Sequence, residues 1–244
     1  MDATLYTFPI SNPGWSARLA FARKGVEPKL VQLRPGLHPA ALWLRGYRRG
    51  TVPAAKLDGR RVEGSLEIVQ ELERLVPEPS LYPADPARRA AVEEAERWGE
   101  AVMQRLPRAI ARYAIAHDHE TRVWFMREHA RMPLPALSAT FSLPVSRLMA
   151  ARANGSEEGA RAALEQLPAA LDRVDALLAD GLLGDADGVN AAGAQIAPSV
   201  ALAASLHDLR DITAGRPGVA WAEGLVSGIE PAPSSAAIVA LRGA

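Results

Sequence analysis

The sequence predicts two regions of different class: an α/β domain over residues 1–78 and an all-α domain over residues 86–244. Three observations carry this. Residues 1 to about 80 alternate short β-favouring runs with helical segments. From about residue 86 onward, β-type alternation disappears and apolar residues recur every three or four positions. Between the two lies Val76-Pro-Glu-Pro-Ser-Leu-Tyr-Pro83, a proline-rich stretch of the kind that links domains. With 244 residues, 48% of them hydrophobic, the chain is long enough for one large domain or two small ones and has enough apolar material for a real core.

Ala3–Phe8 is a first strand, stopped by the loop composition of Pro9-Ile-Ser-Asn-Pro-Gly14. Trp15–Lys24 is a helix ended by Gly25, and Pro28–Leu33 is a second strand. Strand, helix and strand of these lengths form a βαβ unit with parallel pairing. His38–Gly46 is a short helix. Thr51–Leu57, the turn signal Asp58-Gly59 and Arg61–Glu63 form a hairpin. Ser65 opens a helix over Leu66–Val76, with apolar residues at 66, 68, 69, 72, 75 and 76. The order βαβ, loop, ββα is that of a thioredoxin-like domain.

In the second region, Ala91, Ala95, Trp98, Val102, Leu106, Ile110 and Tyr113 predict one long amphipathic helix kinked at Pro107. A helix follows over Glu120–Arg131, and the prolines of Met132–Pro144 break the pattern. Leu164 to Leu177 marks a strong helix ended by Asp180-Gly181. Asn190 is an N-cap for a helix over Ala191–Leu209. A last helix near Val219–Val226 precedes a tail expected to be less regular.

Composition removes several function classes. Lys+Arg and Asp+Glu both number 28, so the chain lacks the basic field of a nucleic-acid binder. With no cysteine, disulfides, thiolate nucleophiles and cysteine-ligated zinc are excluded. No apolar run approaches the ~18 residues of a membrane span, and MDATLYTFPIS has neither the basic nor the apolar region of a secretory leader. The expectation is a soluble cytoplasmic protein without membrane partners. His117, His119 and His129 with Glu120 and Glu128 hint at a metal. His-x-His points to two faces of a helix, however, and HExxH is absent, so no metal is expected. Neither GxGxxG nor GxxxxGK[ST] occurs, so nucleotide binding has no support.

Three segments resemble the cytosolic glutathione S-transferases over nearly all of residues 3–225. The most specific is Val52-Pro53, then strand, turn, strand and Gly64-Ser65-Leu66-Glu67-Ile68. The second, Ser11–Gly25, is similar to the serine-type first helix of the zeta class. The third, Leu171–Asp185, resembles the helix and loop before the core helix of the family's second domain. The resemblance implies the glutathione S-transferase fold, with a thioredoxin-like N-terminal domain and an all-α C-terminal helical bundle. It also implies a cis Val52–Pro53 peptide, glutathione as co-substrate, a small electrophile as acceptor and a homodimer. Zeta-like isomerisation and a non-catalytic scaffold of the same fold stand as alternatives.

The implied site has a physical logic. Val52 and Pro53 would offer backbone groups to an extended tripeptide, a form of strand addition. Gly64 and Ser65 open a helix whose free N–H groups suit a carboxylate. Ser11, with Asn12 beside it, would donate a hydrogen bond to the ligand sulfur and stabilise its thiolate. Each residue also has a plainer reading: Ser65 as a helix cap, Pro53 as a turn residue and Ser11 as a loop serine. Tyr6 reads as sheet packing. Arg45, Arg48, Arg49, Arg60 and Arg61 read as solvated positions or as an electrostatic aid to an anionic ligand. Trp98, Tyr113 and Phe125 read as core or as lining of an acceptor pocket.

Three departures from the family pattern stand out. The Glu or Gln expected before the helix serine is Gly64, with Glu63 one place earlier, so a group that would meet the γ-glutamyl end is missing or displaced. Position 14, where a second Ser or Cys often falls, is Gly. The Asp expected in the first turn of the later core helix is Gly193.

Overall fold

A computed structural model describes residues 1–152, 154–185 and 188–243. By packing, it divides into two compact units, residues 1–101 with 176–198 and residues 102–175 with 199–244. That partition differs from the 1–78 and 86–244 read from the proline-rich link, since α-helical segments after residue 86 group with the first unit.

The first unit is built on a four-stranded sheet of order β2-β1-β3-β4, with β1 Ala3–Thr7, β2 Lys29–Gln32, β3 Ala54–Leu57 and β4 Arg60–Glu63. β1 and β2 are parallel, and β3 is antiparallel to both β1 and β4. Helix α1 spans Asn12–Arg23, α2 His38–Trp43, α3 Ser65–Leu75 and α4 Pro86–Trp98. This is the thioredoxin-like order expected from the sequence. Asp58 and Gly59 form the β3–β4 turn with φ of 44° and 88°, the positive pair of a type I′ hairpin. Gly25 closes α1 at φ 62°, with Val26 N–H donating to Phe21 O and Gly25 N–H to Ala22 O, a Schellman ending. α1 lies against α3, over a core that includes the fully buried Leu5, Phe21, Leu57, Ile68 and Leu72. Leu42 of α2 joins a separate cluster with Leu33, Tyr47 and Ala54, and Tyr6 packs on it.

The expected long helix after residue 86 is interrupted. α4 passes into a π-helical segment at Gly99–Met103, and α5 begins afresh at Leu106–His117 with Pro107 in its first turn. Proline lacks the N–H that an uninterrupted helix needs there. α6 is His119–Glu128. Two helices, α7 Pro135–Phe141 and α8 Leu143–Arg152, occupy the stretch whose prolines were expected to break the pattern. Proline in a first turn costs no hydrogen bond, so Pro135 and Pro144 start helices. α9 Glu157–Ala179 accommodates Pro168 and ends before Gly181.

A small hairpin, β5 Gly184–Asp185 with β6 Gly188–Val189, precedes α10 Ala191–Ser205. The short α11 Arg210–Thr213 and α12 Pro217–Leu225 follow. The tail is more regular than expected, since it carries α13 Ala236–Arg242. In the second unit α5 lies against α8 and α13, and Tyr113, Ala160 and Leu241 form a buried cluster.

Candidate functional site

The sheet register gathers the predicted residues at one end of the sheet. Tyr6 pairs with Ala54, and Ala54 with Glu63. The end of β1, the lead into β3 and the end of β4 therefore share one end of the sheet. From there the chain continues to Ser11, comes in through Val52-Pro53, and continues to Gly64-Ser65. The Val52–Pro53 peptide is cis. Val52 lies outside β3, whose pairing begins at Ala54. Gly64 N–H donates to Pro53 O at 3.0 Å, which joins the lead into β3 directly to the start of α3. A second cis bond, Glu78–Pro79, lies in the proline-rich stretch.

Ser11 is the N-cap of α1. Its backbone is extended, and its Oγ accepts from Gly14 N–H at 3.1 Å. An oxygen that accepts in this way still carries a proton to donate. The residue is buried, as is Asn12, whose carbonyl accepts from Ser16 Oγ at 3.3 Å. Trp15 Nε1 donates to Pro9 O at 2.8 Å and braces the loop. The Arg18 guanidinium lies 3.6 Å above the Trp15 ring, and burial lowers its pKa.

Gly14 has a local cause. A Cβ there would stand 2.0 Å from Thr7 Oγ1 and 3.1 Å from Ser11 Oγ. A second Ser or Cys at this position is therefore excluded by the packing of β1 on the first turn of α1.

Gly64 caps α3 at φ 105° and ψ 149°, a conformation costly for any residue with a Cβ. Ser65 is the first helical residue and is buried. Glu63 does not substitute for the missing side chain at 64. Its carboxylate accepts from the backbone N–H groups of Arg48 at 2.9 Å and Arg49 at 2.8 Å, which ties the loop after α2 to β4. Sequence reasoning did not single out Glu67, yet its carboxylate lies over Gly64. Oε1 accepts from Arg49 Nη1 at 2.6 Å, and Oε2 is buried without a partner among the described residues.

The basic set is largely structural. Arg61 Nε donates to Arg45 O at 2.8 Å, Arg45 Nη1 to Ala41 O at 2.6 Å, and Arg60 Nη1 to Glu71 Oε1 at 3.1 Å. Tyr6 meets Tyr47 edge-on at 5.5 Å between ring centres, as sheet packing. Tyr113 belongs to the buried cluster of the second unit. His117 stacks on Tyr113 at 4.3 Å, and His129 meets Trp124 at 4.7 Å. Burial pushes the His129 pKa down to about 4. Among the described residues no group of three or more His, Asp or Glu is arranged for a metal, and no helix is long and apolar enough to cross a membrane.

Residues 5–80 match the family model for the glutathione S-transferase N-terminal domain. Over these residues the chain is similar to the glutathione S-transferases. It is 33% identical over 92 residues to maleylacetoacetate isomerase of Mus musculus, covering 36% of this chain and 43% of that protein. The same enzyme of Pseudomonas aeruginosa is 33% identical over 91 residues, again covering 43% of its length. The chain thus aligns with less than half of these relatives. The beta-etherase LigF of Sphingobium sp. strain SYK-6 superposes over 100% of this chain and 99% of its own, with TM-score 0.66 and 21% identity. A tau class glutathione S-transferase from mango superposes over 98% and 92%, with TM-score 0.61 and 14% identity. At these identities the structures establish the fold.

At this end of the sheet the start of α3 presents backbone N–H groups, Ser11 a hydroxyl, and Glu67 Oε2 an acceptor without a partner among the described residues.

Proposed function

We propose that this glutathione S-transferase-like protein binds glutathione along the edge formed by Val52, Pro53, Gly64 and Ser65, with Ser11 stabilising its thiolate for reaction with a small electrophile. The observation that carries this reading is the position of Ser11. It is the cap of α1, in the loop that follows β1, so helix dipole and hydrogen-bond donor act at one point. Bound glutathione would supply the nucleophilic sulfur. Val52 and Pro53 would align the peptide, and Gly64 with the first turn of α3 would hold its γ-glutamyl carboxylate, with Ser65 adding a donor. Asn12 is the second polar side chain of the Ser11 loop and the reserve donor to the sulfur. A homodimer belongs to the same proposal, with a sedimentation mass near twice 26.0 kDa as its sign.

The likeness to maleylacetoacetate isomerases favours a second reading, isomerisation of an activated double bond. Both readings use the same thiol-activating residues and differ in glutathione stoichiometry. Transfer consumes one glutathione per product, whereas isomerisation consumes none. Glutathione-affinity retention and calorimetry test the shared step, and thiol titration during turnover of a panel of electrophiles and cis-alkenes separates the two. Failure to bind glutathione contradicts both and leaves the scaffold reading.

A further inference from the structure

Helices α7 and α8 turn their large apolar side chains outward. The residues they bury are small: Ala139 of α7, and Ser146 and Ala150 of α8. Leu134, Leu137, Phe141, Val145 and Leu148 are instead 45–75% exposed. They are five of the eleven most exposed large apolar residues among the described residues, and they fall in one short segment. An amphipathic helix ordinarily does the reverse and sets its large apolar residues against the core. Core packing does not account for this face.

The exposed residues form one row. Helical bonding runs through the junction of the two helices, since Ser142 N–H donates to Ser138 O at 2.9 Å and Ser142 O accepts from Ser146 N–H at 2.8 Å. At about 3.6 residues per turn, this spacing keeps the five side chains within about a quarter turn of one another. The row is bounded by arginine: Arg131 precedes it, Arg147 adjoins Leu148, and Arg152 lies four residues past Leu148. All three are exposed, and none is ion-paired among the described residues. No acidic residue occurs from 129 to 156, although the whole chain balances 28 acidic against 28 basic residues. Glu128 and Glu157, which flank that stretch, are paired with Arg127 at 2.6 Å and Arg161 at 3.4 Å. The face is apolar along its row and cationic around it.

We propose that the α7–α8 face docks on an anionic lipid membrane, its apolar row entering the boundary between headgroups and acyl chains while Arg131, Arg147 and Arg152 meet lipid phosphates. Charge and shape select this occupant. A ridge of side chains standing this far out needs a matching groove or a soft apolar medium, and the bilayer interface receives it without a groove. Arginines beside an apolar row lay their stems along it and keep their guanidinium groups at the phosphates. A second copy presenting the same face would bring arginine against arginine with no carboxylate between them. The expectation of no membrane partner concerned a spanning run, which docking in the plane of the interface does not need.

The test is sedimentation of the full chain with vesicles of phosphatidylcholine and with vesicles that also contain phosphatidylserine. The protein should bind the anionic vesicles about tenfold more strongly or better, and added salt should weaken that binding. Leu137→Gln combined with Phe141→Gln should lower binding to the anionic vesicles about tenfold or more. Arg147→Gln combined with Arg152→Gln should lower it by a similar factor and leave the weaker binding to phosphatidylcholine unchanged. All four positions are exposed, and thermal melts verify that both variants are folded. A wild type that binds neither vesicle overturns the proposal and leaves the face to a protein partner. Unchanged binding in either variant overturns it as well. Sedimentation velocity decides the remaining case: an oligomer that dissociates when Leu137 and Phe141 are replaced assigns the face to a contact between copies and overturns membrane docking.

Discussion

The backbone N–H of Gly64 donates to the carbonyl oxygen of Pro53 at 3.0 Å, immediately beyond the β3–β4 pair Ala54 and Glu63. The bond continues the hairpin ladder by one step and fixes the start of α3 to the lead into β3. Val52 and Ser65, the neighbours of this bonded pair, are thereby held through main chain rather than through long side chains.

Gly14 and Thr7 form a packed pair. Gly14→Ala places a methyl 2.0 Å from Thr7 Oγ1 and should destabilise the protein by about 1–3 kcal/mol, the usual cost of overpacking. Thr7→Ala removes the clashing oxygen. In chemical denaturation the double variant should recover most of the loss, and additive losses would contradict this account of the glycine.

Lys24 is buried at the end of α1, where Nζ donates to Glu73, to Pro79 O at 2.8 Å and to Pro77 O at 3.2 Å. Glu73 also accepts from Ser80 Oγ at 2.7 Å and Leu81 N–H at 2.9 Å. Burial works to raise the Glu73 pKa, but these donors outweigh it and hold the group below its ordinary 4.5. The stabilisation from a depressed carboxyl is present above 4.5 and is lost as pH falls through the folded-state value. Lys24→Met should cost about 3 kcal/mol near neutrality, and less in acid. A pH-independent loss would contradict the ion-pair account.

Much of this was legible in the sequence. Asp58-Gly59 announced its hairpin, and the βαβ, ββα order announced the sheet that brings Ser11, Val52 and Ser65 to one end of the sheet. Asn190 caps α10 as read, with Oδ1 accepting from Gly193 N–H at 3.0 Å. Gly193 itself is explained only in three dimensions, because a Cβ there would lie 2.0 Å from Leu183 O. Pro135 and Pro144 misled because proline breaks helices inside but starts them at the first turn. Glu67 was silent because its position depends on the positive φ of Gly64, on the prior claim of Pro53 O on the cap N–H, and on Arg49, 18 residues away.

Glu96 is buried, accepts from Tyr82 Oη at 2.9 Å through Oε2, and leaves Oε1 without a partner among the described residues. Burial raises its pKa to about 7, and the bond from Tyr82 offsets only part of that. A raised carboxyl pKa favours folding below the unfolded value. That advantage is lost as pH rises from about 4.5 to about 7, on the order of 3 kcal/mol in all. Glu96→Gln removes the titration while keeping an acceptor for Tyr82. Melting curves should show little difference from wild type at pH 4.5 and a clear stabilisation of the variant at pH 8. Equal differences at both pH values would contradict the assignment.

The central claim is that Ser11 activates a bound thiol, and thiolate absorbance of glutathione bound to wild type and Ser11→Ala, followed against pH, tests it most directly. In the wild-type complex the thiol pKa should fall below about 8.5, the value of a free thiol. Ser11→Ala should raise it again and slow turnover, while affinity is kept by the β3 and α3 edge. Loss of the α1 cap should cost about 0.5–2 kcal/mol of stability besides. A wild-type complex with an undepressed thiol, or one whose thiol pKa is unchanged in Ser11→Ala, would contradict the role of Ser11.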